Sequence, residues 1–257
     1  MKKFFVNLLC CFVPVRKWRH RLRHKCRGKG ANVSASLQDM GATDWNTNHI
    51  WIIAPDGTRR SVTSVPNCVF KFSGKNNNVY LYEPLNGLQL SVRVSNNVNV
   101  TVFPCNSWAM KINVCRWANG DKNISNIIVG KGCSAAATLN IEIAHGDGDV
   151  IIGEDCIFSW GCSIMTGDYH TMLDKNTGAV INYNNNVVIG NHVWLGREVL
   201  VLKGSRIADN SVVGARSVVT RRFEEPNVVI AGMPAKIVKT NINWDRRCIS
   251  EYEYCKQ

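Results

Sequence analysis

From Ile189 to Val219 an aliphatic residue returns at every sixth position: Ile189, Leu195, Val201, Ile207, Val213 and Val219. Four places into the blocks stand Val193, Val199, Ser205, Ser211 and Ser217, all small or β-branched. A period of six matches neither an α-helix, at 3.6, nor an isolated strand, at 2. It predicts a chain wound into a triangular coil of short strands, one block per side, with the opening aliphatic residue facing inward. Successive coils then pair as parallel strands about 4.8 Å apart.

The same rhythm extends upstream through Ile128-Val129-Gly130, Ile152-Gly153, Phe158 and Ile164. It breaks there. Ile189 follows Ile164 by 25 positions, one more than four blocks, and the intervening MTGDYHTMLDKNTGAVINYNNN is polar with two glycines. Such an excursion predicts a loop leaving the prism, the kind of place where a rigid scaffold carries its chemistry. Between residues 69 and 102 alternating apolar positions recur about every ten residues, separated by Asn runs suited to tight corners. They predict short strands in irregular early coils, with a separate small β-sandwich as the other reading. Residues 32–60 read as polar loop, and a turn with a last strand follows Thr220. The all-β chain thus divides into an arm (1–30), irregular coils and loops (31–125), regular coils (126–239) and a C-terminal segment (240–257) covering the open end of the stack.

The formal net charge of +12 is unevenly spread: residues 1–30 hold ten Lys or Arg and no acid, leaving the rest of the chain nearly neutral. Residues 4–13, FFVNLLCCFV, are apolar but cover only about half of a bilayer's hydrocarbon as a helix. No small-x-small cleavage site follows them. An apolar decamer running into Lys/Arg with Trp18 reads as an interfacial anchor on an anionic membrane surface rather than a nucleic-acid arm. The eleven cysteines are odd in number and form no CxxC pair, and Cys156 and Cys162 fall at inward small positions. Buried free thiols in a reducing compartment are expected.

VWLG at 193–196, VLKGSRIADNSVVGARSVVT at 201–220 and NVVIAGMPAKIV at 227–238 resemble the hexapeptide-repeat acyltransferases. The nearest branch is the O-acetyltransferases that decorate bacterial surface polysaccharides. The resemblance implies a left-handed parallel β-helix, a handedness that the spacing alone does not give. It also implies a homotrimer with acetyl-CoA lying between subunits, and no metal.

Six histidines are present, and His170, opening the excursion in GDYH, precedes Trp194 by four blocks. That spacing can set both on facing parts of one cleft. Carried over from the family, His170 is the general base and Trp194 lines the site, while Asp168 either orients the imidazole, binds the sugar or simply makes a turn. A sugar hydroxyl is a weak nucleophile, and imidazole can take its proton as attack on a thioester proceeds. The same resemblance places Gly196 and Ala215 beside the pantetheine, and Thr220, Arg221 and Lys236 near the nucleotide. Arg222 and Lys239 add cations suited to phosphates. Arg197 stands where the family often has a small residue.

The expected activity is acetyl-CoA-dependent O-acetylation of a lipopolysaccharide or capsule sugar, or its precursor, by an enzyme peripheral on the cytoplasmic face of the bacterial inner membrane. N-acylation of an amino sugar nucleotide and a non-catalytic glycan-binding scaffold are the alternatives. A three-histidine zinc site lacks the close ligand spacing it needs.

Overall fold

A computed structural model describes residues 43–106, 110–116, 123–144 and 148–255. The chain divides into two units, Met1–Gly41 and Ala42–Gln257, and all strands of the described residues belong to the second. The basic arm and His145 lie outside the described residues. Among those described, no helix is long and apolar enough to cross a membrane.

The stack begins with β1 (His49–Ile53), flanked by antiparallel β2 (Arg59–Val62). β3 (Cys68–Phe72), β4 (Asn78–Tyr82), β5 (Leu88–Val94), β6 (Val98–Val102) and β7 (Met110–Arg116) alternate between two sheets. From β8 (Ser125–Val129) the coil gains a third side, with β9 (Ser134–Ala135) and β10 (Thr138–Ile143) completing the first triangle. The next coil is β11 (Val150–Ile152), β12 (Ile157–Phe158) and β13 (Ser163–Met165). After the long loop come β14 (Val187–Ile189), β15 (Trp194–Leu195) and β16 (Leu200–Val201), then β17 (Arg206–Ile207), β18 (Val212–Val213) and β19 (Val218–Val219). β20 (Arg222–Phe223), β21 (Val229–Gly232) and β22 (Ala235–Lys239) finish the stack, and a short helix, α1 (Ile249–Tyr254), follows.

Three sheets form the walls of a left-handed parallel β-helix. The first runs β1-β4-β6-β8-β11-β14-β17-β20, the second β3-β5-β7-β10-β13-β16-β19 and the third β9-β12-β15-β18-β21, all in parallel register. β4 and β6 therefore continue the wall that holds β8 and β11, which excludes a separate sandwich for the early strands.

Phe158, Ile164, Ile189, Leu195, Val201, Ile207, Val213 and Val219 are all buried, one per side of each coil. The second inward position sits at the corners, where little room remains and a polar hydrogen can find a carbonyl. Ser205 Oγ donates to Val219 O at 3.0 Å, and the thiols of Cys156 and Cys162 reach Gly190 O and Gly196 O, both at 3.2 Å. Ser and Cys thus serve one structural purpose, and every described cysteine is a free thiol. The turn between first and third walls needs left-handed backbone at Asp155, His192, Asn210 and Asn227.

Two expectations are corrected. The polar stretch before residue 60 is not all loop: HIWII forms β1 because Ile50 and Ile52 point into the core beneath Val79 and Leu81. Nor do the described residues of the C-terminal segment, 240–255, lie over the open end. β22 folds back antiparallel on β21 there, and the tail then runs back along the flank. Asn227 and Ile242 exchange two hydrogen bonds, Trp244 meets His192, and Arg246 reaches Asp155, Ser134 and Gly132, each contact farther down the stack.

Candidate active site

The excursion leaves the prism between β13 and β14, at the corner joining the second wall to the first. Its neck is tied by Asn185 N–H to Thr166 O at 3.0 Å, while Thr166 Oγ1 accepts from Ala144 N–H at 3.2 Å. Gly167 fits only because it lacks a side chain: a Cβ there would overlap the Asn184 amide and stand 2.7 Å from Ala144 Cβ. Beyond the neck the chain makes a finger. Leu173 and Val180 bridge antiparallel, and Asp174 Oδ1 accepts the N–H groups of Asn176 and Thr177 at the tip. Met172, Leu173, Ile181 and Tyr183 are all exposed on this finger.

At the finger's base Tyr169 holds φ at 61°, a left-handed conformation that is rare for a bulky residue and often found at functional sites. Its hydroxyl donates to Glu142 Oε2 at 3.3 Å, and burial pushes the phenol's pKa up, keeping it a neutral donor. The kink is fixed on both sides. His170 N–H donates to Asp168 O at 2.8 Å, and the Asn182 amide donates to His170 O at 2.8 Å and to Asp168 Oδ2 at 2.9 Å. Lys203, from the turn after β16, pairs with the same Asp168 oxygen and donates to Asn182 O at 2.9 Å. Lys203 and the Asn182 amide together hold the Asp168 carboxyl below the usual range.

Asp168 therefore braces the finger and does not touch the imidazole of His170, which is exposed and has no partner among the described residues. Asp168, His170 and Asn182 line a cleft of about 280 Å³ with Tyr183 on its wall.

Trp194 lies elsewhere, on the third wall. Its indole N–H donates to Ser159 Oγ at 3.2 Å, and its ring stands 6.2 Å from that of Trp244. A single chain thus does not bring His170 and Trp194 into one cleft, because β15 belongs to a different wall from the strands that carry the finger. Gly196 and Ala215 do meet, at the corner of the second and third walls: a Cβ on Gly196 would stand 2.7 Å from Ala215 N. Arg197 at this corner turns aside, over the Trp160 ring and toward Glu198. Thr220 and Arg221 occupy the same corner as Lys203, farther up the stack, with Arg221 over the Phe223 ring at 5.0 Å. Lys236 is exposed on β22, whereas Arg222 is taken by Glu224 at 2.7 Å. Among the described residues no cluster of His, Cys, Asp or Glu could hold a metal ion.

Comparison with known proteins places this geometry in a family. Residues 186–221 match the model of the bacterial transferase hexapeptide, six repeats. A polysialic acid O-acetyltransferase of Neisseria meningitidis is 36% identical over 194 residues, covering 73% of this chain and 84% of that protein. The chain belongs to the hexapeptide-repeat O-acetyltransferases. It is accordingly an enzyme, an acyltransferase. A polysialic acid O-acetyltransferase of Escherichia coli O1:K1 is 30% identical over 48% of this chain, and the chain spans only 39% of that protein. The solved polysialic acid O-acetyltransferase OatWY is 28% identical, covers 81% of this chain and 94% of its own, and superposes with a TM-score of 0.54. The polySia-specific acetyltransferase NeuO shares the fold, with a TM-score of 0.60 over 82% of this chain.

Sequence reasoning missed Lys203 and Asn182. Lys203 falls at an outward corner of its hexapeptide, and only the folded coil shows that this corner underlies the neck of the finger.

Proposed function

We propose that this O-acetyltransferase moves an acetyl group from acetyl-CoA to a sugar hydroxyl of a bacterial surface glycan, capsule or lipopolysaccharide, or of its precursor. The observation that carries the reading is His170: an exposed imidazole on a kink whose backbone is fixed by Asp168 and Asn182, in a chain of this family. The neutral imidazole accepts the hydroxyl proton as the sugar oxygen bonds to the thioester carbonyl carbon. It then returns that proton to the departing thiolate, leaving an acetyl ester and CoA. Both contacts to Asp168 use Oδ2, so Oδ1 is left to orient a sugar hydroxyl.

Gly196 and Ala215 are assigned to the pantetheine, and Thr220, Arg221 and Lys236 to the nucleotide end, with Trp194 lining the acceptor side. These groups stand on two corners and the third wall of one prism, which supports a site completed by a second chain. The exposed Met172, Leu173, Ile181 and Tyr183 support a finger that docks on a neighbouring subunit, as in a homotrimer. The basic arm of residues 1–30 would hold the enzyme at the cytoplasmic face of the inner membrane, where lipid-linked glycans are at hand.

The test is incubation with labelled acetyl-CoA and fractionated bacterial glycans, followed by hydroxylamine. Label in the glycan that hydroxylamine releases is an ester and supports the reading. Resistant label is an amide and would move the enzyme to amino sugars.

A further inference from the structure

The second wall carries a groove that the chemistry at His170 does not use. It has a volume of about 550 Å³ and lies on the outward face of β5, β7 and β10. Ser91 and Arg93 lie at its floor, and Ser91 Oγ and Arg93 Nε are buried there with no hydrogen-bond partner. Lys111 is exposed at its edge, and the Asn113 amide donates to Asn140 Oδ1 at 3.3 Å across it. Among the described residues no carboxylate lines this groove, so its two cations, Arg93 and Lys111, have no acid beside them there.

Its position relates it to the active site. Arg93, Cys115, Glu142 and Met165 are successive partners across β5, β7, β10 and β13. Glu142 is the acceptor of the Tyr169 hydroxyl, and Met165 ends the strand from which the finger leaves. Three strand spacings, about 14 Å, separate Arg93 from Met165 along one wall. A polymer chain lying on this wall would pass from the cations to the kink that carries His170.

We propose that this groove binds the non-reacting residues of a carboxylate-bearing glycan whose reacting residue sits at His170. The inference rests on the glycan O-acetylation reading and narrows its acceptor to an acidic polymer. A guanidinium with a buried, unpartnered N–H and a nearby ammonium suit carboxylates spaced along a chain, and the Asn113 and Asn140 amides suit its hydroxyls.

The test uses the full chain, with sialic acid polymer, sialic acid dimer and neutral dextran as probes in titration calorimetry without acetyl-CoA. The polymer is expected to bind more tightly than the dimer, to weaken with salt and to outcompete dextran. Lys111→Glu, at an exposed position, and Arg93→Gln should each weaken polymer binding by about tenfold or more, raising KM for polymer and not lowering kcat. Unchanged polymer affinity in Lys111→Glu, equal binding of dextran, or an altered oligomeric mass by light scattering would overturn the proposal, the last by making this wall an interface between copies. If the polymer binds through Lys111 but receives no acetyl group, the groove stands and the O-acetylation reading falls. If transfer occurs but ignores both variants, the groove falls alone.

Discussion

Lys203, on the turn after β16, is paired with Asp168 at the base of the finger, 35 positions earlier in the chain. This pair and the Asn182 bridge tie the segment presenting His170 to the rigid coil. A surface ion pair contributes little to global stability, so its value lies in position. Lys203→Met should lower kcat/KM about 10- to 100-fold, as displaced catalytic groups do, while the melting temperature changes little. Lys203→Arg should recover part of the loss. A large fall in melting temperature in parallel with activity would mark Lys203 as merely structural.

The same contacts set an acid limit. Asp168 has its pKa lowered first by the Lys203 hydrogen bond and then by Asn182. For a depressed carboxyl, the bracing is complete above the pKa of the unfolded chain and is lost as pH falls through the lower folded value. Hydrogen exchange across residues 168–182 should therefore stay slow through mildly acid pH and accelerate only below the usual carboxylate range. Acceleration already near pH 6 would show that the brace depends on another group.

Trp244 lies flat on His192, with ring centroids 3.9 Å apart and planes 5° from parallel, and its N–H donates to His192 O at 2.8 Å. Beside it, Arg246 donates to Asp155 Oδ1 at 2.7 Å, while His192 Nδ1 lies 2.7 Å from Asp155 Oδ2. Burial works against the Asp155 anion, but His192 and Arg246 outweigh it and hold its pKa down. Arg246→Ala should free the tail, cost about 1–3 kcal/mol through the groups left unpaired, and make Trp244 fluorescence more accessible to iodide. Unaltered quenching would mean the tail is held by other contacts.

Cys162 is buried in the core, where a thiolate is disfavoured. Burial pushes the pKa of Cys162 up to about 11 and that of Cys105 up to about 12. Iodoacetamide at pH 8 should modify the exposed Cys248 and Cys255 well before Cys156 and Cys162, without abolishing turnover. Because Ser217 occupies the equivalent corner on the same edge, Cys162→Ser should retain activity within about twofold. Loss of turnover in that variant would point to an acyl-thiol intermediate.

The regular coils were legible because each hexapeptide places one aliphatic residue inward per side, a local rule that needs no partner strand to be recognised. The finger was legible as a break in that count. β1 was not, since His49–Ile53 is one short apolar run among polar neighbours, and only stacking on β4 makes it a strand. The site was half legible. GDYH and VWLG marked His170 and Trp194, but the walls to which they belong, and so their separation within one chain, follow from which strands stack on which. Long-range partners such as Lys203 for Asp168, or Arg246 for Asp155, leave no trace in local spacing.

The most direct test of the account is thiol release from acetyl-CoA in the presence of acceptor glycan, comparing the native chain with His170→Ala. The variant should keep its fold by circular dichroism and lose about 10²- to 10⁴-fold in kcat, the usual contribution of a general base. Turnover within a few-fold of the native enzyme would contradict the assignment of His170 and the mechanism built on it.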